Sequence, residues 1–152
     1  MRLPLKRQSI VPRIDGILRD IERLRLFVLC PVEEFSTNPD SFDIAKLHLR
    51  EALEGVFHIG AHILSRMNGG RVTEYKEIAH KLGEHGIVEK HFADTTLIQM
   101  AGYRNRLTHF YAEISAHELH QILQEHLNDF GVFLAAVKHV LEHPEQFGLA
   151  IE

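Results

Sequence analysis

The clearest chemistry in this sequence lies in one stretch of eight residues: Arg104, Asn105, Arg106, Leu107, Thr108, His109, Phe110 and Tyr111. Histidine gains and loses protons near neutral pH, so His109 can take the proton of a ribose 2′-hydroxyl or give one to a leaving oxygen. Arginine is a permanent cation whose planar fork matches phosphate, so Arg104 can stabilise charge that grows in a transition state. Asn105 can orient His109 or hold a base or ribose. These residue types suit RNA cleavage without a metal ion, which yields a 2′,3′-cyclic phosphate and a 5′-hydroxyl.

An apolar stripe at helical spacing leads into this octet and then turns polar. It contains Ala93, Leu97, Met100 and Ala101, and it continues to Arg104, Thr108 and Tyr111. A buried helix face that turns polar over two turns either contacts polar groups of other elements or lines a functional site. On one ideal helix Arg104 and His109 lie about 140° apart, which is too wide to grip one small group. Two copies across a two-fold axis can bring both residues into one cleft, so the catalytic interpretation predicts a homodimer.

Five helices with short connections must position the octet. Their predicted spans are about 12–30, 40–68, 74–82, 88 through the octet, and 116–143. Asp40 or Ser41 is predicted to cap the second helix and Thr73 the third, while Ser115 and Glu118 form a capping-box pattern before the fifth. Asn68-Gly69-Gly70 is predicted to end the second helix.

The remaining segments are predicted to connect these helices. Residues 1 to about 12 are expected to form a loose arm, residues 31–39 a connector, and residues 144–152 a tail. Gly83 and Gly86 are expected to bracket a tight turn. No segment alternates as a half-buried strand does, so the predicted fold is all-α, an up-and-down bundle of about five helices.

Length and charge restrict the class of protein further. A chain of 152 residues suits one domain spanning 1–152, with a core at about 10–143. The net charge of -4 excludes nucleic-acid binding driven by bulk positive charge. The single cysteine, Cys30, allows no internal disulfide and fits a reducing compartment. Because no run approaches the ~18 apolar residues of a membrane span, we expect a cytoplasmic protein.

The octet and its frame resemble the HepT toxin family within the HEPN group of helical nucleases. That family carries arginine, four residues, histidine, one residue and tyrosine, which here are Arg104, His109 and Tyr111, and Asn105 is the usual polar residue after the arginine. Residues 75–87 resemble the short third helix and glycine turn of the family, and residues 100–104 resemble its approach to the motif. The HEPN-like likeness covers roughly residues 10–143.

The resemblance implies an RNA-cleaving, homodimeric toxin of a toxin–antitoxin system, of type II, or of type VII where silencing is by enzymatic modification. It implies that Arg104 and His109 are catalytic, with Asn105 and Thr108 supporting them. It further implies an MntA-like minimal nucleotidyltransferase as antitoxin, which transfers AMP from ATP to Tyr111. On a continuous helix Tyr111 shares a face with Arg104, so the added phosphate could pair with Arg104 and compete with RNA. The partner would supply Mg²⁺ and ATP, and this chain itself is expected to need no cofactor.

Two other functions stay open on the sequence. A non-catalytic HEPN-like module could dock a nucleotidyltransferase or bind a nucleotide. It would share Arg104 and the cleft with the nuclease, but its His109 would transfer no proton. A purely structural helical dimer is the other, because the bare spacing recurs by chance: Arg104 could pair with a carboxylate on another helix, and Tyr111 could be a core aromatic.

Histidine pairs and basic residues are candidates for further sites. Pairs at helical spacing, which can chelate zinc, are His58 with His62, His139 with His143, and His117 with His120. No cysteine or acidic residue completes a recognisable ligand spacing with them, so we expect no metal site. A possible basic rim for RNA consists of Lys81, Lys90, Arg104 and Arg106. Glu84 and Glu89 dilute that rim, which makes a mixed solvated surface the better interpretation.

Overall fold

The computed structural model describes residues 3–68, 71–109 and 114–152, and the regular structure in them is helical apart from one isolated bridge. The α-helices are α1 (Arg7–Val28), α2 (Val32–Thr37), α3 (Pro39–Ser65), α4 (Tyr75–Glu84), α5 (Lys90–Phe92), α6 (Ile98–Thr108) and α7 (Ala116–Glu142). A π-helical turn, Ala93–Leu97, joins α5 to α6, and a 3-10 turn, Pro144–Phe147, follows α7. The prediction of an all-α fold is confirmed. None of the described helices is both long and apolar enough to cross a membrane.

Side-chain caps fix the start of two long helices. The Asn38 carboxamide oxygen accepts hydrogen bonds from the backbone N–H groups of Asp40 (3.1 Å) and Ser41 (3.3 Å). The predicted cap at Asp40 or Ser41 is therefore wrong, because Asn38 reaches both amides while Pro39 occupies the first turn. The Ser115 hydroxyl accepts from the backbone N–H of Glu118 at 3.1 Å, so the predicted cap of α7 is confirmed.

The two ends of the chain hold each other, so the predicted loose arm is wrong. Leu5 donates its backbone N–H to the Ala150 carbonyl (2.8 Å), and Glu152 donates its N–H to the Leu5 carbonyl (2.9 Å). The Leu5 side chain is fully buried in the core. Helix α1 also begins at Arg7 rather than at Pro12, which lies inside the helix. These backbone pairings join segments that the sequence pattern leaves without partners.

Three other connections differ from their predictions. The connector at 31–39 contains α2, whose Phe35 is fully buried. Helix α4 begins after Glu74 without a side-chain cap, so Thr73 does not start it. Gly83 lies inside α4, and the turn that follows is made by Gly86 at φ 71°. Helix α3 ends at Ser65, before the Asn68-Gly69-Gly70 triplet, and Gly69 and Gly70 lie outside the described residues.

Helix α3 is the centre of the core and contacts α1, α2, α4, α6 and α7. Two glycines allow close approach on two sides of it. A Cβ on Gly55 would lie 2.8 Å from Cγ1 of Ile17 on α1, and a Cβ on Gly60 would lie 2.9 Å from Cδ1 of Leu82 on α4. The apolar residues of α3 at helical spacing are buried: Leu49, Leu53, Val56, Phe57, Ile63 and Leu64. Leu18 of α1, whose spacing also favours the buried face, is 51% exposed.

The approach to the octet depends on one further glycine contact. A Cβ on Gly83 of α4 would lie 2.6 Å from the Cβ of Ala93, where the π-helical turn begins. Real Cβ atoms do not approach that closely, so α4 and the helical run that leads to the octet can pack as they do only with glycine here. Ala93, Leu97, Met100 and Ala101 are all buried, which confirms the apolar stripe before the octet.

Replacing Gly83 with alanine should destabilise this packing. We expect Gly83→Ala to lower the free energy of unfolding by about 1–3 kcal/mol, the usual cost of overpacking a core. Denaturant unfolding followed by circular dichroism measures the change. Gly131→Ala is the matched control: its Cβ meets nothing within 4 Å and lies within α7, so it should be neutral or slightly stabilising. Equal stability of the two variants would contradict the close approach at Ala93.

Candidate functional site

Arg104 of α6 is held against two other helices. Its guanidinium carbon lies 4.2 Å from the ring centroid of Tyr75, the first residue of α4. Its Nε is 3.9 Å from Oε1 of Glu54 on α3, and its Nη1 donates to Oδ1 of Asn105 at 3.4 Å. The side chain is 25% exposed, and the buried Nε has no hydrogen-bond partner among the described residues. The arginine is therefore oriented by a ring face and a distant carboxylate, without a short ion pair.

Tyr75 is held in place by side chains of α3. Its ring stacks on Phe57 with centroids 4.7 Å apart, and its hydroxyl lies 3.4 Å from Nε2 of His58. Burial raises the pKa of Tyr75 despite the nearby positive charge of Arg104. Partial burial lowers the pKa of His58, and the charges of Arg13 and Arg104 lower it further against the effect of Glu54. A neutral imidazole and a neutral phenol thus lie beside the arginine.

Glu54, His58 and Tyr75 were not assigned to this site from the sequence. The only sequence signal was that Glu54 and His58 are four residues apart on one helix, which is ordinary. Nothing local connects them with Arg104, because the contacts join α3, α4 and α6 only after these helices pack.

His109 is where the backbone leaves α6. Its N–H still donates to the Asn105 carbonyl (3.1 Å), but its φ of -95° and ψ of 116° are extended. The expectation that one helix carries the whole octet is therefore wrong, and the 140° separation of Arg104 and His109 does not apply. The imidazole is exposed. Tyr111 lies outside the described residues.

The two supporting residues of the octet both bond to Arg104. The Asn105 carboxamide oxygen accepts from the guanidinium, and the Thr108 hydroxyl donates to the Arg104 carbonyl at 2.8 Å. Asn105 therefore steadies the arginine with its side chain and meets His109 through its backbone. Thr108 is exposed, so the polar continuation of the buried stripe holds for Arg104 and not for Thr108.

Arg106 ties the two sides of the octet together. Its Nη1 and Nη2 donate to the two Glu118 carboxylate oxygens, each at 2.6 Å. The capping-box pattern directs Glu118 back to the Ser115 amide, but its carboxylate instead bonds to Arg106, and this bond lowers the pKa of Glu118. The bidentate pair joins the end of α6 to the first turn of α7, on either side of residues 109–115.

The other candidate sites are occupied by local partners. In the possible basic rim, Lys81 lies 3.3 Å from Glu84, and Arg104 and Arg106 face Glu54 and Glu118. This supports the mixed-surface interpretation. The paired histidines have separate partners: His58 meets Tyr75, His62 accepts from the Lys6 N–H (3.1 Å), His120 lies 2.7 Å from the Cys30 carbonyl, and His139 lies 3.1 Å from Gln146. None of these pairs belongs to a three-ligand group among the described residues.

The arrangement around Arg104 favours binding of an anion. The guanidinium is largely withdrawn from water, where charge-assisted hydrogen bonds are stronger. Its nearest carboxylate, at 3.9 Å, is beyond hydrogen-bond distance, so it does not saturate the fork. A phosphate at the exposed edge could therefore take up bonds that the fold leaves unmade.

Comparisons with known proteins identify the family of the chain. The family model described as Ribonuclease HepT-like matches residues 17–137. The chain is 26% identical over 129 residues to the mRNA nuclease HepT of Shewanella oneidensis, covering 85% of this chain and 96% of that protein. It is 22% identical over 132 residues to the tRNA nuclease HepT of Aphanizomenon flos-aquae, covering 87% and 89%.

Solved structures show the same fold. One is a tri-AMPylated Shewanella oneidensis HEPN toxin in complex with its MNT antitoxin, with a TM-score of 0.77 and 25% identity, covering 86% of this chain and 97% of that one. Another is a toxin–antitoxin complex with AMP-PNP, with a TM-score of 0.77 and 24% identity, covering 87% and 98%. With a family match over most of its length and this helical frame, the chain belongs to the HepT-like ribonucleases, the nuclease toxins of the HEPN group.

Proposed function

We propose that this protein is a metal-independent endoribonuclease toxin that cleaves RNA with Arg104 and His109. The observation that carries the proposal is the Arg104 guanidinium, largely buried on the Tyr75 ring and lacking a close carboxylate, on the helix that His109 terminates. The names of the relatives, an mRNA nuclease and a tRNA nuclease, support an RNA substrate. Such a toxin would act in the cytoplasm.

The proposed reaction needs only proton transfer and charge stabilisation. One His109 imidazole takes the proton of the ribose 2′-hydroxyl as the 2′-oxygen forms a bond to phosphorus. The bond from phosphorus to the 5′-oxygen breaks, and that oxygen receives a proton from a second, protonated imidazole. Arg104 donates to the phosphate oxygens, on which negative charge accumulates. The products are a 2′,3′-cyclic phosphate and a 5′-hydroxyl.

A homodimer would supply the second imidazole. Arg104 turns back toward α3 and α4, whereas His109 follows α6 in extended backbone. Because Arg104 and His109 extend in different directions from α6, a cleft formed by two copies of the chain suits them better than a site closed within one copy. A two-fold axis near the end of α6 would place two arginines and two histidines in the same cleft.

We further propose that an MntA-like nucleotidyltransferase antitoxin silences the toxin at Tyr111. The phenolic oxygen would attack the α-phosphorus of ATP, pyrophosphate would leave, and the phenolic proton would be lost. The complexes of similar toxins with MNT antitoxin, one of them AMPylated, support this partner. The attached phosphate would bring a negative charge close to the octet, where it could bind Arg104 in place of RNA.

Removing either proposed catalytic side chain should abolish cleavage. We expect His109→Ala to reduce kcat/KM for RNA by about 10²–10⁴-fold, the usual contribution of a positioned acid or base. Arg104→Lys should also lose most activity, because lysine keeps the charge but not the fork. Cleavage of labelled RNA is measured in excess EDTA, with growth inhibition scored in parallel. His117→Ala, another exposed histidine, is the control and should keep full activity.

Three results would count against this mechanism. Full cleavage by His109→Ala would exclude a catalytic role for His109. Loss of the parent's cleavage in EDTA, with the circular dichroism unchanged, would contradict metal independence. Equal loss in His117→Ala would point to general damage rather than catalysis.

The Tyr75 ring should matter through Arg104. Tyr75→Leu removes the ring face, and we expect kcat/KM to fall by about 3–30-fold, the equivalent of a partly buried cation–π contact. Tyr75→Phe keeps the face and should retain near-parental activity, although it loses the contact with His58. Unfolding midpoints separate this effect from a loss of stability. If Tyr75→Phe proved as impaired as Tyr75→Leu, the hydroxyl and not the ring would be the important group.

Modification should be confined to Tyr111. The chain has three tyrosines, Tyr75, Tyr103 and Tyr111, so substitution can test each one. Incubation with the MntA-like nucleotidyltransferase, ATP and Mg²⁺ should add one or more AMP units to the intact mass and stop RNA cleavage. Tyr111→Phe should show no added mass, whereas Tyr103→Phe should be modified like the parent. An AMP adduct on Tyr111→Phe would place the modification elsewhere.

A further inference from the structure

A second group of ionisable side chains lies between α1 and α3, apart from the cleavage residues. Two of its members, Asp20 and Glu51, line an open cavity of about 290 Å³, which Arg13, Glu54 and His58 also line. The group consists of Asp20 on α1 and of His48 and Glu51 on α3. None of the histidine pairs that the sequence suggested takes part in it.

The three side chains converge. One ligand-type atom from each lies within 4.8 Å of those of the other two, and His48 Nδ1 is 2.8 Å from Asp20 Oδ1. Asp20 and His48 are each 8% exposed, whereas Glu51 is exposed. His48 and Glu51 are three residues apart, so α3 presents both on one face, and α1 supplies the third side chain. Two packed helices therefore bring the three donors close together before any ligand binds.

The cation nearest to the carboxylates of this group is His48, which is charged only when it is protonated. Among the described residues no lysine or arginine nitrogen lies within 4.0 Å of the carboxylate of Asp20 or of Glu51. The Asp20 carboxylate is almost fully buried, and a carboxylate oxygen of Glu51 lies within 4.8 Å of it. Two carboxylates that destabilise each other in a partly buried place are stabilised by a shared cation.

We propose that Asp20, His48 and Glu51 bind a divalent transition-metal ion that ties α1 to α3. Carboxylate oxygen and imidazole nitrogen are the donors that Zn²⁺ accepts, with water from the cavity as a fourth ligand. Bonds of about 2.0–2.2 Å place ligand atoms about 3.4 Å apart in a tetrahedral site. The group reaches that spacing when the exposed Glu51 side chain closes inward and Asp20 and His48 separate slightly.

The ion would have a structural role. None of its three proposed ligands takes part in the proposed RNA cleavage. Its presence would add to the contact between α1 and α3, because an ion that binds only the folded state stabilises it. The two proposals can therefore fail independently: metal binding is the readout for this one and RNA cleavage for the other.

Titration of the chelator-treated full-length protein with Zn²⁺ tests the site. Calorimetry should show one bound ion per chain, and Zn²⁺ should raise the unfolding midpoint. Co²⁺ bound in its place should give visible absorption bands of tetrahedral coordination. Glu51→Gln and Asp20→Asn should each weaken Zn²⁺ binding by at least about tenfold, the loss that even an outer partner of a metal ligand causes. Because Glu51 is exposed, Glu51→Gln should fold normally and keeps the test decisive.

Two control variants locate the ion. Asp129 also bonds to a histidine, with Oδ2 3.0 Å from Nδ1 of His126, but belongs to no three-ligand group, so Asp129→Asn should bind Zn²⁺ like the parent. His139→Gln removes one of two neighbouring surface histidines and should also bind like the parent. Absence of Zn²⁺ binding, unchanged binding by Glu51→Gln, or a loss caused only by His139→Gln would each overturn the proposal.

Discussion

The packing of α3 is the constraint on which the rest of the structure depends. A helix that contacts five others must be apolar around most of its circumference, and close approach is possible only where side chains are absent. Gly55 admits α1 and Gly60 admits α4 at separations where a Cβ would force the Ile17 or Leu82 side chain to shift. In the gaps between these neighbours α3 presents polar side chains, among them the exposed Glu51 and His58. Glu54 and His58 occupy the gap toward α4 and α6, and His48 and Glu51 the gap toward α1.

A partly desolvated arginine is the main consequence of that arrangement. Burying a cation is costly unless something compensates for the lost water. Here the compensation is diffuse: the face of Tyr75, a carboxylate of Glu54 at 3.9 Å and the Asn105 carboxamide. A short bidentate ion pair would have satisfied the hydrogen-bond donors of the guanidinium and left none for an anionic ligand. Arg106, with both carboxylate oxygens of Glu118 at 2.6 Å, is such a pair and has a structural role. Two arginines two residues apart therefore differ because of their neighbours, not their type.

The end of α6 combines an exposed histidine with an ion pair that attaches the helix to α7. The helix stops at Thr108, and His109 turns into extended backbone and is exposed. The Arg106–Glu118 pair holds the start of α7 close to this point, so the chain leaves the helix without losing its attachment to the bundle. His109 is therefore exposed at the end of α6, while the Arg104 side chain stays packed against α3 and α4.

The sequence by itself determined the all-α fold, the apolar stripe before the octet, the cap at Ser115, and the residue types and order of the octet. These features are local, because hydrophobic periodicity and capping depend on residues within a few positions of one another. Only the tertiary structure decided where α6 ends, that both chain ends pair, and that Glu54, His58 and Tyr75 surround Arg104. Those outcomes depend on contacts between segments far apart in the chain, which form only when burial of the α3 surface fixes the helices against one another.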